Sequence, residues 1–149
     1  MTYSPTDAYA QCLTALMDAV RTLTVYFPNE RQVSFDPTAR TLGADYWFFC
    51  TPGAFPNTRM DGRAKIYQWQ TRCRLDVRYS TEAESVLKFI EVRGALQELL
   101  DKPRLLRNVN VNSILLSSNS DIQQDTPADE APNFLIQLLT VTIEQIVNI

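Results

Sequence analysis

The amino-acid sequence predicts an α+β fold, with an antiparallel or mixed β-sheet of about four to six strands and two main α-helices packed on one of its faces. Three observations carry that expectation. Two segments repeat apolar residues every three or four positions, as helices with one buried face do. Residues 67–79 alternate without a break between apolar and polar side chains, as a half-buried strand does. The elements run helix, short strands, aromatic strand, long strand, helix, strand and long final strand, an order that segregates helices to one side of a sheet.

The first helix opens at Ser4-Pro5-Thr6-Asp7, where Ser4 caps the backbone N–H of Asp7 and Pro5 takes the first helical position, whose N–H has no partner to lose. It runs to about Leu23 with Ala8, Cys12, Ala15, Leu16, Ala19, Val20 and Leu23 as its apolar stripe. From Thr24 to Gly43, Pro28 and Pro37 leave room only for short strands, of which Val33 and Phe35 are the alternating core. Tyr46-Trp47-Phe48-Phe49-Cys50 has no alternation and predicts a central strand covered on both faces. Thr51 to Arg63, with two prolines and two glycines, reads as a long irregular loop.

In the strand that follows, Tyr67, Trp69, Thr71, Cys73, Leu75, Val77 and Tyr79 face the core, and Gln68, Gln70, Arg72, Arg74, Asp76 and Arg78 face outward. The capping box Thr81-Glu82-Ala83-Glu84 starts the second helix. Its stripe is Ala83, Val86, Leu87, Ile90, Leu96, Leu99 and Leu100, with Gly94 as a weak point, and Asp101-Lys102-Pro103 stops it. Val109 and Val111 lead into a strand through Ile114-Leu115-Leu116, Ser117 to Pro132 reads as a polar, acidic loop, and Asn133 to Val147 is the last strand. There Leu135, Leu139, Val141 and Ile143 share one face, while the other passes from Phe134, Ile136 and Leu138 to Thr140, Thr142 and Glu144.

A chain of 149 residues has the size of one domain, so residues 1–149 are read as a single unit with a substantial core. Fourteen Lys and Arg against seventeen Asp and Glu leave a net charge of −3, which argues against a protein that wraps nucleic acid. The longest fully apolar run is Tyr46 to Cys50 and the N-terminus has no basic start, so no membrane association is expected and the chain reads as cytosolic. The three cysteines, Cys12, Cys50 and Cys73, lie in apolar segments without C-x-x-C spacing and read as buried thiols of a reducing compartment, not as a metal site.

The sequence has no histidine, which removes the commonest general base and every Ser-His or Cys-His arrangement. Its four glycines form no phosphate-binding pattern. Carboxylate chemistry through Asp7, Asp45, Asp61 or Asp76 lacks a second acid on a predicted buried face, and Asp76 reads as a partner for Arg74 or Arg78. Neither an enzyme nor a cofactor is expected. The charge pattern that remains is a basic stripe, Arg59, Arg63, Lys65, Arg72, Arg74 and Arg78, set against the acidic stretch Asp121, Asp125, Asp129 and Glu130. Either both are solvated surface, or they meet head to tail between subunits and close a ring. Among Tyr3, Tyr9, Tyr26, Phe27 and Phe55, the last is the best interface anchor and the others are core candidates.

The aromatic strand at Tyr46 to Cys50, the Gly/Pro loop after it, the Gln-rich strand Tyr67-Gln68-Trp69-Gln70-Thr71-Arg72-Cys73-Arg74-Leu75-Asp76-Val77 and the acid-started helix through Leu99-Leu100 come in a particular order. With the long apolar last strand, that order resembles the tail terminator proteins of long-tailed bacteriophages over nearly the whole chain. The resemblance implies a virion structural protein assembled in the host cytoplasm and located at the tail end. It forms a hexameric ring, caps the tail tube protein, ends tail polymerisation and offers a joining surface to the head-to-tail connector or neck protein. DNA passes through its lumen without specific binding. The segments Thr51 to Arg63 and Ser117 to Pro132 would then contact tube or connector. A phage neck or head-completion protein, and a cytosolic small-ligand-binding domain, are the alternatives.

Overall fold

The computed structural model describes residues 5–35, 43–52, 57–61, 64–78, 82–102, 105–125 and 134–148. It shows the α+β class expected: a mixed, seven-stranded sheet with two helices on one face. The elements are α1 (Pro5–Arg21), β1 (Val33–Ser34), β2 (Tyr46–Pro52), β3 (Asn57–Asp61), β4 (Ala64–Arg78), α2 (Glu82–Leu100), β5 (Val111–Ser118), β6 (Gln123–Asp125) and β7 (Phe134–Asn148). The main path across the sheet is β1-β2-β4-β7-β5, with β3 on the edge of β4 and β6 on the edge of β7. Only the β1–β2 pair is parallel.

The centre of the sheet is the antiparallel ladder of β4 and β7, each of 15 residues and paired from Ala64↔Asn148 to Arg78↔Phe134. At about 3.4 Å per residue such a ribbon is about 50 Å long. Neither β2 nor β5 spans that length, and two short strands pair with the edges left over: β3 with Ala64 to Gln68, and β6 with Phe134 to Ile136. Both lie in segments expected to be loops. The Thr51 to Arg63 stretch holds the end of β2 and all of β3, and the Ser117 to Pro132 stretch holds the end of β5 and all of β6.

The aromatic strand is covered on both faces as expected, since Trp47, Phe48, Phe49 and Cys50 are all buried, but it sits beside the two-residue β1 and not at the sheet's centre. Phe35 is exposed beyond the end of β1, whereas Val33 is fully buried. Gln32 holds this region to the sheet: its amide donates to the carbonyls of Tyr26 at 3.0 Å and Tyr46 at 2.8 Å, and its Oε1 accepts from the Asn29 N–H.

The main core lies between the helices and the inner sheet face. From α1 it takes Ala8, Tyr9, Cys12, Leu13, Leu16, Met17, Ala19 and Val20, which include the stripe read from sequence except Ala15 and Leu23, both half-buried against it. Tyr9 stacks on Trp69 at 4.5 Å, and Trp69 Nε1 donates to Gln145 Oε1 at 2.9 Å, so the buried polar atoms are matched inside the core. Asn110 takes the left-handed conformation, φ 59°, that turns the chain into β5, a conformation asparagine tolerates better than most residues.

Helix α2 differs from its sequence reading. Its buried side is Ser85, Phe89, Val92, Leu96 and Leu99, while Val86, Leu87 and Ile90, three members of the expected stripe, point to solvent. The helix is apolar on two sides, so spacing alone supports either orientation. The larger side chain, Phe89, goes inward with Val92 and the shared C-terminal leucines.

Candidate assembly surface

Among the described residues, no helix covers the other face of the sheet. Positions paired across neighbouring strands share a face, so the register lays this outer side out in rows. Asp125, Phe134 and Arg78 form the first; Gln123, Ile136, Asp76 and Trp47 the second; Leu138, Arg74 and Phe49 the third. Next come Ser117, Thr140, Arg72 and Thr51, and then Leu115, Thr142 and Gln70.

The first three rows make a small core of their own. Trp47, Phe49 and Phe134 are buried together with Ala44 and Ile136 against them, and Trp47 stacks on Phe49 at 5.9 Å. Trp47 Nε1 donates to the Ala44 carbonyl at 3.1 Å. Arg74 roofs this cluster, its guanidinium 5.1 Å from the Phe49 ring centre. Two hydrogen bonds of 2.8 Å join it side-on to Asp76, whose carboxylate is fully buried. A buried carboxylate is tolerable only with such a partner. Arg78 lies 6.0 Å above Phe134 and its Nε comes within 3.2 Å of Asp45 Oδ1, an ion-pair contact without hydrogen-bond alignment. Asp76 as the strand-face partner of Arg74 is thus the arrangement anticipated from the alternation.

The last two rows, together with Leu138 at the end of the third, are open. Arg72 is exposed and, among the described residues, has no ion-pair partner. It borders a depression of about 390 Å³ with Gln70, Asn119, Leu138 and Thr140. Leu138 is 48% exposed and Leu115 63%, both at mid-strand.

The expected charged regions therefore separate. Arg72, Arg74 and Arg78 share the outer face, and Arg59 is paired in register with Ile66, an even number of residues from Arg72 on β4. Lys65 lies on β4, and its side chain is outside the described residues. Asp121 is exposed between β5 and β6, and Asp125 falls in the same row as Arg78. Arg63, Phe55, Asp129 and Glu130 lie outside the described residues, as does Tyr3, whereas Tyr9 and Phe27 are in the core and Tyr26 donates to Glu91 at 2.9 Å. Sequence reasoning named Leu115 and Leu138 only as strand residues, and took Val86, Leu87 and Ile90 of α2 for part of its buried stripe, whereas all five are exposed.

The cysteines are buried thiols. Burial pushes Cys12 up to about 12. Cys50 and Cys73 face each other across β2 and β4 with sulfurs 3.7 Å apart, and that contact together with burial raises Cys73 well above its ordinary value. Among the described residues no group of three or more metal-ligating side chains is gathered, and no helix is long and apolar enough to cross a membrane. A groove of about 630 Å³ runs between α1 and the segment 105–109, lined by Gln11, Thr14, Ala15, Asp18, Ala19 and Asn108 among others, with Asp18 held by Arg21 at 3.0 Å.

No protein-family model matches this chain, and neither does any curated protein.

Proposed function

We propose that this protein is a non-enzymatic structural subunit that assembles with copies of itself, and that its role is that of a tail terminator of a long-tailed bacteriophage. In this reading a ring of about six subunits caps the tail tube, ends its polymerisation and meets the head-to-tail connector, while DNA passes through without being retained. The observation that carries the assembly part is the open half of the outer sheet face, where Arg72, Leu115 and Leu138 are left uncovered beside a well-packed half. A sheet face that exposes leucines at mid-strand is a surface for another protein. The terminator part rests on the element order from α1 to the long last strand.

A neck or head-completion ring protein is the nearest alternative, since it would use the same kind of surface. The small-ligand reading has the α1 groove in its favour, where Leu105, Leu106 and Val109 stand opposite Gln11, Thr14 and Asp18.

Native mass measurements across protein and salt concentration, followed by imaging of any large species, test the assembly reading. A ring of about six copies that weakens with salt supports it. A monomer under every condition overturns self-assembly. Capture of isolated tail tubes, as against head connectors, then separates terminator from neck protein, and stabilisation by a metabolite would favour the ligand-binding reading instead.

A further inference from the structure

Helix α2 has two apolar sides. The inner one packs on the sheet; the outer one carries Val86, Leu87 at 68% exposure and Ile90 at 57%, with Ala83 and Gly94 in the same line. The stripe from residue 83 to 94 is about 17 Å long at 1.5 Å per residue. Glu84, Glu91 and Glu98 follow one another at seven-residue spacing along one flank, which makes that flank acidic. This stripe points away from the sheet, so it lies on the opposite side of the molecule from the open rows around Arg72, Leu115 and Leu138.

We propose that these two surfaces are the halves of one interface: the outer stripe of α2 in one copy seats on the open outer sheet face of the next copy. The inference rests on the self-assembly reading above and says which surfaces perform it. Chemistry matches on both counts. An apolar ridge meets exposed leucines beside a depression, and an acidic flank meets Arg72, a cation without an ion-pair partner among the described residues. The contact would repeat what the molecule already does internally, where the inner stripe of α2 covers the inner face of the same sheet.

Because the two surfaces differ, each copy has one of each to offer, and the contact propagates head to tail until rotation closes it. A contact only about 17 Å long is small for a stable pair of proteins. A closed ring, in which every copy makes two such contacts, gains from the second being intramolecular. Gly94 fits the same picture: it is exposed in mid-helix, nothing lies within 4 Å of where its Cβ would stand, and glycine there weakens the isolated helix. Its bare backbone suits a close approach by the neighbouring sheet.

The test uses two single variants of the full chain, Leu87→Asp and Arg72→Glu, both at exposed positions, in native mass measurements beside the unaltered protein. Each variant alone should be monomeric with an unchanged unfolding midpoint. Mixed in equal amounts they should reach at most a weak, concentration-dependent dimer and nothing larger, because each supplies the surface that the other lacks but no ring can close. Gly94→Leu should likewise block assembly without lowering stability. Rings of unaltered protein that persist in all three variants would overturn this interface while leaving self-assembly standing. Unaltered protein that never associates would overturn the self-assembly reading, and this interface with it.

Discussion

Arg72 and Arg74 are two residues apart on the same strand and the same face, yet they do different things. Arg74 closes a dry pocket over Phe49 and holds the buried carboxylate of Asp76 with two hydrogen bonds of 2.8 Å, whereas Arg72, beside Leu138 and Thr140, is exposed. The difference comes from neighbours, not from the arginines. One half of the outer face has Trp47, Phe49 and Phe134 to bury; the other has Gln70, Thr140 and Thr142, with two exposed leucines. An arginine at the aromatic end is part of the fold, and one at the open end is available to a partner. Reversing both charges together would therefore confound folding with assembly.

The largest effect should come from the packed end. Trp47→Ala removes the biggest side chain of the outer cluster and should lower stability by about 3–5 kcal/mol in denaturant titrations. Arg74→Ala leaves Asp76 buried without its guanidinium and should lose about 2–3 kcal/mol, somewhat less than a fully buried pair because Arg74 keeps some exposure. Arg72→Glu and Leu138→Thr, at the open end, should each change monomer stability by no more than about 0.5 kcal/mol. A loss at Arg72 or Leu138 as large as that at Arg74 would abolish the distinction between the two halves.

A smaller effect concerns the inner face behind them. Cys12 and Cys73 keep their protons in the folded chain to well above the ordinary thiol value of 9.0, while the unfolded chain ionises near it. Above about pH 9 the unfolded state binds fewer protons than the folded one, so stability should fall as pH rises further and be level below that point. Urea midpoints between pH 7 and 10.5 would reveal the slope. Because all three thiols are buried, they should resist alkylation until the protein unfolds.

Much of this architecture was legible in the sequence. The alternation from Tyr67 to Val77 gave both faces of β4 and the Arg74–Asp76 pair, because both follow from period two within one strand. The stripe of α1 was legible because its other side is polar. The outward stripe of α2 was not, since two apolar sides satisfy the helical period equally. Strands β3 and β6 were hidden for a different reason: Asn57–Asp61 and Gln123–Asp125 are polar and short, and pair because β4 and β7 outrun their longer neighbours. The contact between Cys50 and Cys73 depends on register, which neither strand encodes by itself. Of the assembly surface, Arg72 was readable as a charge and its isolation from partners was not.

The position of β7 also bears on how the chain comes to fold. Its 15 residues pair with β4, β5 and β6, so the strand that fills the middle of the sheet is the last described in the chain, and its partners in β4 lie some 70 positions earlier. Closing such distant pairs is slow, which puts refolding in the range of about milliseconds to seconds. Until it happens, β4, β5 and β6 each present a raw strand edge. A chain cut short before Phe134 would keep those edges permanently, and its fate would be aggregation, not a smaller soluble fold.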